Sequence, residues 1–120
     1  MATYRATILW LDTWEEEEIQ MFEELFEKKG LVVIISASEI RLEQEIRSGL
    51  SYDLFITNLS SPNLNVKELL RISKELYPSK PVMVYSTYDF HSEEIDAVLL
   101  TGSGLRKMFE TIDNLLAKKQ

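Results

Sequence analysis

Cysteine is absent from this chain of 120 residues, and histidine occurs once, as His91. The first absence excludes disulfides, thiol nucleophiles and cysteine zinc sites. The second leaves no histidine cluster for a metal and no nucleophilic triad. No apolar run approaches the ~20 residues of a membrane-spanning helix. Met1-Ala2-Thr3-Tyr4-Arg5 carries no signal-peptide pattern, so a cytoplasmic location is expected. Basic residues are outnumbered, 13 against 20 acidic, for a net charge of -7. Nucleic-acid phosphates need clustered Lys and Arg, so a nucleic-acid partner is not expected. The basic pair Lys118-Lys119 reads as a solvated helix end that complements the helix dipole. What the chain does have is core material: 45% of its residues are hydrophobic and 28% charged, as in one globular domain spanning 1-120.

Short β-like runs alternate with helical patterns, without repeats or a low-complexity linker. Ala6-Thr7-Ile8-Leu9-Trp10-Leu11 is an apolar run that ends at Asp12, and it predicts the first strand. Thr13 and Glu16 fit a capping box, and Glu15 to Glu18 place negative charge in the first turn of a helix. Ile19, Phe22, Leu25 and Phe26 recur at helical spacing until Gly30. Leu31 to Ile35 is β-branched enough for a central, two-face-buried strand. Ser36 or Ser38 caps a second helix that Gly49 closes. Asp53 to Thr57 is a third strand, with Asn58 at its C-terminal end. Val66, Leu69, Leu70 and Ile72 lie on a third helix that Pro78 ends, and Pro81 to Ser86 form a fourth strand with proline first.

Beyond Ser86 two patterns compete. In one, Ala97-Val98-Leu99-Leu100-Thr101 is a fifth strand, Ser103 caps the last helix, and Leu105, Met108, Phe109, Ile112, Leu115 and Leu116 form its apolar stripe. In the other, a helix runs from Ser92 to Thr101 and Leu105-Arg106-Lys107 is a strand. The first gives the longer amphipathic helix and keeps Arg106 and Lys107 out of a sheet, so it is preferred. Repeated strand-helix units with right-handed crossovers imply an α/β sandwich of three layers. Its sheet is parallel and five-stranded, in the flavodoxin-like order 2-1-3-4-5.

The run Asp53-Leu54-Phe55-Ile56-Thr57-Asn58-Leu59-Ser60-Ser61-Pro62 resembles the phosphoacceptor strand of response-regulator receiver domains. Ile8 to Asp12 is similar to their acid-bearing first strand, Pro81 to Ser86 to the fourth, and Thr101 to Ile112 to the lysine-proline turn and final helix. The resemblance covers nearly the whole chain, through the order and spacing of these segments. It implies Mg²⁺-assisted phosphoryl transfer to an aspartate, which needs a carboxylate nucleophile, acidic metal ligands and a lysine countercharge. Carried over by position, Asp12 matches the first paired acid and Ser86 the switch hydroxyl. Thr13 stands for the second acid, Asn58 for the acceptor, Thr101 for the lysine and Gly102 for the proline. Val98 stands where an aromatic switch residue is common.

The resemblance therefore implies a degenerate member: a pseudo-receiver with no catalytic residue, metal or cofactor, acting as a phosphorylation-independent interaction or dimerisation module in signalling. The segment from Thr87 to Asp96 has room for about two helical turns at most, so the fourth receiver helix is expected to be short or absent. The expected partner surface, for another protein or a second copy, involves the fourth and fifth strands and the last helix. Tyr88, Phe90, Glu94, Val98, Leu100 and Arg106 are its candidates. Several readings stay open at this level. Asp12 reads as a residual ligand or as a polar strand end. Asn58 orders the pocket or satisfies turn backbone, and Tyr85, Tyr88 and Phe90 anchor a partner or pack the core. Ser60, Ser61 and His91 read as ordinary loop residues. The alternative function is a phosphoacceptor or phosphatase-like enzyme that uses Asp12 or Asp53. A flavin or nucleotide binder ranks below it, because no glycine-rich loop follows the first strand.

Overall fold

A computed structural model of the chain describes residues 5–12, 15–58, 66–86, 93 and 95–118. Five parallel strands form one sheet: β1 (Ala6–Leu11), β2 (Leu31–Ser36), β3 (Leu54–Asn58), β4 (Val82–Ser86) and β5 (Ala97–Leu100). Their order is β2-β1-β3-β4-β5, as the alternation of elements implied. Four helices accompany them among the described residues, three between strands and the last after β5: α1 (Glu16–Lys28), α2 (Glu39–Arg47), α3 (Val66–Leu76) and α4 (Leu105–Lys118). Between β4 and β5 the described residues, 93, 95 and 96, contain no helix.

Strand alternation sorts the core into two layers. Ile8 and Trp10 of β1, Leu54 and Ile56 of β3 and Met83 of β4 face α1 and α4, where Phe26, Met108, Phe109, Ile112 and Leu115 cover them. Leu9, Leu11, Phe55, Val82 and Val84 face α2 and α3, under Leu42, Ile46, Leu69, Leu70 and Ile72. The segment expected as a fifth strand is β5, and the helical alternative for it is excluded.

Several local expectations are corrected. β2 is an edge strand, with Val32, Ile34 and Ile35 only half-buried. Its β-branched residues express strand preference, and β1 takes the interior place instead. Helix α1 starts later than expected: Glu15 is its N-cap, and the Glu18 carboxylate accepts from the Glu15 N–H at 3.3 Å. Thr13, the expected cap, lies outside the described residues. Ser103 does not cap α4; its hydroxyl donates to the Leu100 carbonyl at 2.6 Å, and Gly104 precedes the helix. Leu105, expected in the buried stripe, is 44% exposed at the first turn of α4. Ser38 is the cap of α2, as one of the two expected serines, and its Oγ accepts from the Arg41 N–H at 3.1 Å.

Candidate functional site

Four strands, β1, β3, β4 and β5, end at the C-terminal edge of the sheet, and the residues at or just after their ends lie close together there. Asp12 follows β1 and is 5% exposed; its N–H donates to the Ser36 carbonyl at 3.0 Å. Asn58 ends β3, half-buried, in register with Tyr85 of β4. Ser86 ends β4 and is fully buried. Thr101 follows β5 and turns its polar groups on Ser86: its N–H donates to the Ser86 carbonyl at 2.8 Å and its Oγ1 to the same oxygen at 3.2 Å. A neutral hydroxyl engaged this way ties two strand ends and cannot supply positive charge to the crevice.

Asp12, Asn58 and Thr101 line one cavity of about 450 Å³. Ser86 is not among its lining residues, and Thr13 lies outside the described ones. The cavity opens on the α1 and α4 side of the sheet, because Trp10, Asp12, Asn58 and Tyr85 share that face by strand parity. Most of its wall is apolar: Trp10, Phe22, Tyr85, Leu105 and Met108. Trp10 lies 5.7 Å from Phe22 and 6.5 Å from Tyr85 between ring centroids. Glu18 adds a second carboxylate to the lining. Among the described residues, no group of three or more His, Asp or Glu is placed to hold a metal ion.

Gly102 and Gly104 shape the mouth. Both have φ near +90°, 88° and 90°, a conformation that L side chains rarely adopt. They turn the chain from β5 into α4 and so bring Leu105 and Met108 over the crevice.

The sequence alone missed Glu18, Phe22 and Met108 as site residues and placed Trp10 only in the first strand. Strand parity carries the signal for Trp10, since residues two apart share a face with Asp12. The helical residues carry none, because their reach over the crevice depends on how the helices dock. Tyr85, left open between partner anchor and core, packs on the core at one side, as one of the two readings had it, and faces the cavity at the other. Of the expected partner surface, Val98 is half-buried, Leu100 is 42% exposed and the Arg106 side chain is 94% exposed beside Glu110 at 3.5 Å. Tyr88, Phe90 and Glu94 lie outside the described residues. Asp53, the alternative nucleophile, sits at the opposite edge of the sheet, where its Oδ2 accepts from the Thr7 N–H at 2.8 Å.

Solved structures similar to this chain in fold include response-regulator receiver domains. A receiver domain protein from Clostridium thermocellum is 23% identical, with a TM-score of 0.76 over 95% of this chain and 96% of that one. The chain has the receiver-domain fold. A receiver domain of an HD domain-containing protein from Pseudomonas fluorescens Pf-5 shares the fold with a TM-score of 0.79 at 17% identity, covering 96% of this chain and 97% of that one. The response regulator TrrA of Thermotoga maritima shares it with a TM-score of 0.74 at 18% identity, covering 92% and 98%. No protein-family model and no curated protein matches the sequence. No helix among the described residues is long and apolar enough to cross a membrane.

Three of the residues that the sequence resemblance carried over to phosphotransfer positions, Asp12, Asn58 and Thr101, meet in this crevice. Here that crevice ends β3 in an amide, closes β5 with a hydroxyl bound to backbone, and is walled by aromatic rings.

Proposed function

We propose that this chain is a pseudo-receiver: a receiver-family domain released from phosphotransfer. It serves as a phosphorylation-independent interaction or dimerisation module in signal transduction or transcription regulation. The observation that carries this reading is the cavity chemistry. Asn58 occupies the strand end where an acceptor carboxylate is needed, and an amide cannot form an acyl phosphate. Thr101 offers a neutral hydroxyl held by the Ser86 carbonyl, so a developing phosphoryl charge finds no lysine from that position. The sequence adds Thr13, which provides no carboxylate for a hard divalent cation.

The partner face is the side formed by β4, β5 and α4. Leu100 and Leu105 expose apolar surface there, and Arg106 extends into solvent beside Glu110. The fold neighbour TrrA is known in complex with Mg(2+)-BeF and, separately, with the histidine kinase ThkA. A kinase is therefore one class of protein that this face could meet without accepting phosphate. A second copy of the chain is the other.

The competing reading, a phosphoacceptor that uses displaced residues, draws on one observation: Asp12 and Glu18 share the cavity. Asp53 does not serve it, since its carboxylate binds the Thr7 backbone at the far edge. Incubation with acetyl phosphate and Mg²⁺, followed by intact-mass measurement, separates the two. The expected outcome is an unchanged mass. A stoichiometric adduct of one phosphate would sink the proposal.

A further inference from the structure

The cavity has a chemistry that loss of phosphotransfer does not by itself account for. Its walls are rings and a thioether: Trp10, Phe22, Tyr85 and Met108. Its charged lining is of one sign, from Asp12 and Glu18, with Asn58 and Thr101 neutral and no basic side chain among the described lining residues. Aromatic faces carry negative potential and attract cations within about 6 Å of the ring centroid. Carboxylates act in the same direction, and near-complete burial of Asp12 strengthens its field by excluding water. The whole chain, at a net charge of -7, raises the local concentration of cations around it. The volume of about 450 Å³ is that of a small-molecule site, far more than a bare metal ion fills.

We propose that this cavity binds a small organic cation: an amine whose apolar body lies against Phe22 and Tyr85, with the buried Trp10 ring behind them, and whose ammonium group faces Asp12 and Asn58. The body removes aromatic and aliphatic surface from water. The ammonium donates to the carboxylate and to the amide oxygen, which are acceptors suited to it. A carboxylate-bearing or phosphorylated ligand of the same size is repelled by the same groups. The site is independent of the reading above, because an amine pocket can exist whether or not the domain docks a partner.

The test uses phenethylamine as the probe and phenylpropionate, a similar ring with the opposite charge, as its control. Each is titrated into the isotopically labelled protein and followed by two-dimensional NMR. Phenethylamine is expected to give saturable shifts at the Trp10 indole N–H and at the Gly102 and Gly104 amides, and phenylpropionate none. Asp12→Asn is expected to weaken binding roughly tenfold or more, the loss of one charge-assisted hydrogen bond. Because Asp12 is nearly buried, a second variant guards against misfolding. Leu105→Lys, at an exposed position on the cavity rim, places a fixed cation at the mouth and is expected to fold and to lose the probe. Equal response to both probes overturns the proposal. So do shifts without saturation, shifts centred elsewhere, or undiminished affinity in the folded variants.

Discussion

Asp12, Asp53 and Asp96 are three carboxylates at strand ends, and their surroundings give them different work. Asp53 precedes β3 and accepts from the Thr7 N–H, while its own N–H donates to the Thr7 carbonyl at 2.8 Å. Asp96 does the same service for the other half of the sheet. Its Oδ2 accepts from the Val82 N–H and from Lys74 Nζ, each at 2.7 Å. Both stand at the N-terminal edge and pin strand starts. Asp12 alone stands at the C-terminal edge, in the cavity. The sequence set Asp12 at the end of an apolar run and Asp53 at the start of one, and it assigned Asp96 no role; which backbone groups Asp53 and Asp96 pin is decided by the fold. Tyr52 carries the clearest titration. Burial, and then the neighbouring Tyr77, push its phenol up to about 12 from an ordinary value of 10.0. Its ring meets that of Tyr77 edge-on at 5.7 Å. The folded state therefore holds this proton longer than the unfolded chain does. The associated stability is fully present below about pH 10 and is lost as pH rises from there toward pH 12. Tyr52→Phe is expected to flatten that alkaline decline, read as unfolding midpoints in urea across the interval. An unchanged slope in the variant would contradict it.

Helix starts show how far local chemistry reaches. Ser38 is a sequence-legible cap, and the structure uses it as one, with the Arg41 N–H on its hydroxyl. Ser38→Ala is expected to cost about 1 kcal/mol of stability. Urea unfolding with an unchanged m-value would measure it, and no loss would show that water satisfies the freed N–H as well as the serine does. Helix α1 is a harder case. Four consecutive glutamates, Glu15 to Glu18, follow Thr13, so more than one register offers an acceptor three residues from a possible cap. The pair in use is Glu15 and Glu18, which also brings the Glu18 side chain to the cavity. Helix α4 follows its apolar period except at the first turn, where Leu105 is left exposed beside the cavity mouth. Periodicity describes which residues share a helix face, and it does not say where that face runs past the edge of the sheet.

On the scale of the molecule, one sheet separates two apolar layers, and each helix pair closes one of them. Ile112 is fully buried on α4, in the layer that includes Trp10, Phe26 and Met83. Ile112→Ala is expected to cost about 2–5 kcal/mol, from lost transfer free energy and the cavity left behind. Because both layers rest on the same strands, the loss is expected as a shift of a single unfolding transition with far- and near-ultraviolet signals still coincident. Separate transitions would mean that the layers unfold independently. The alternation of strands and helices, the strand order and the residue types at the strand ends were determined by the sequence alone, because period, turn residues and crossover handedness are local or topological constraints. The exposure of Leu105 and the walls of the cavity were decided only by tertiary structure. Each depends on how far a helix or strand extends relative to its neighbour, a distance that no local pattern encodes.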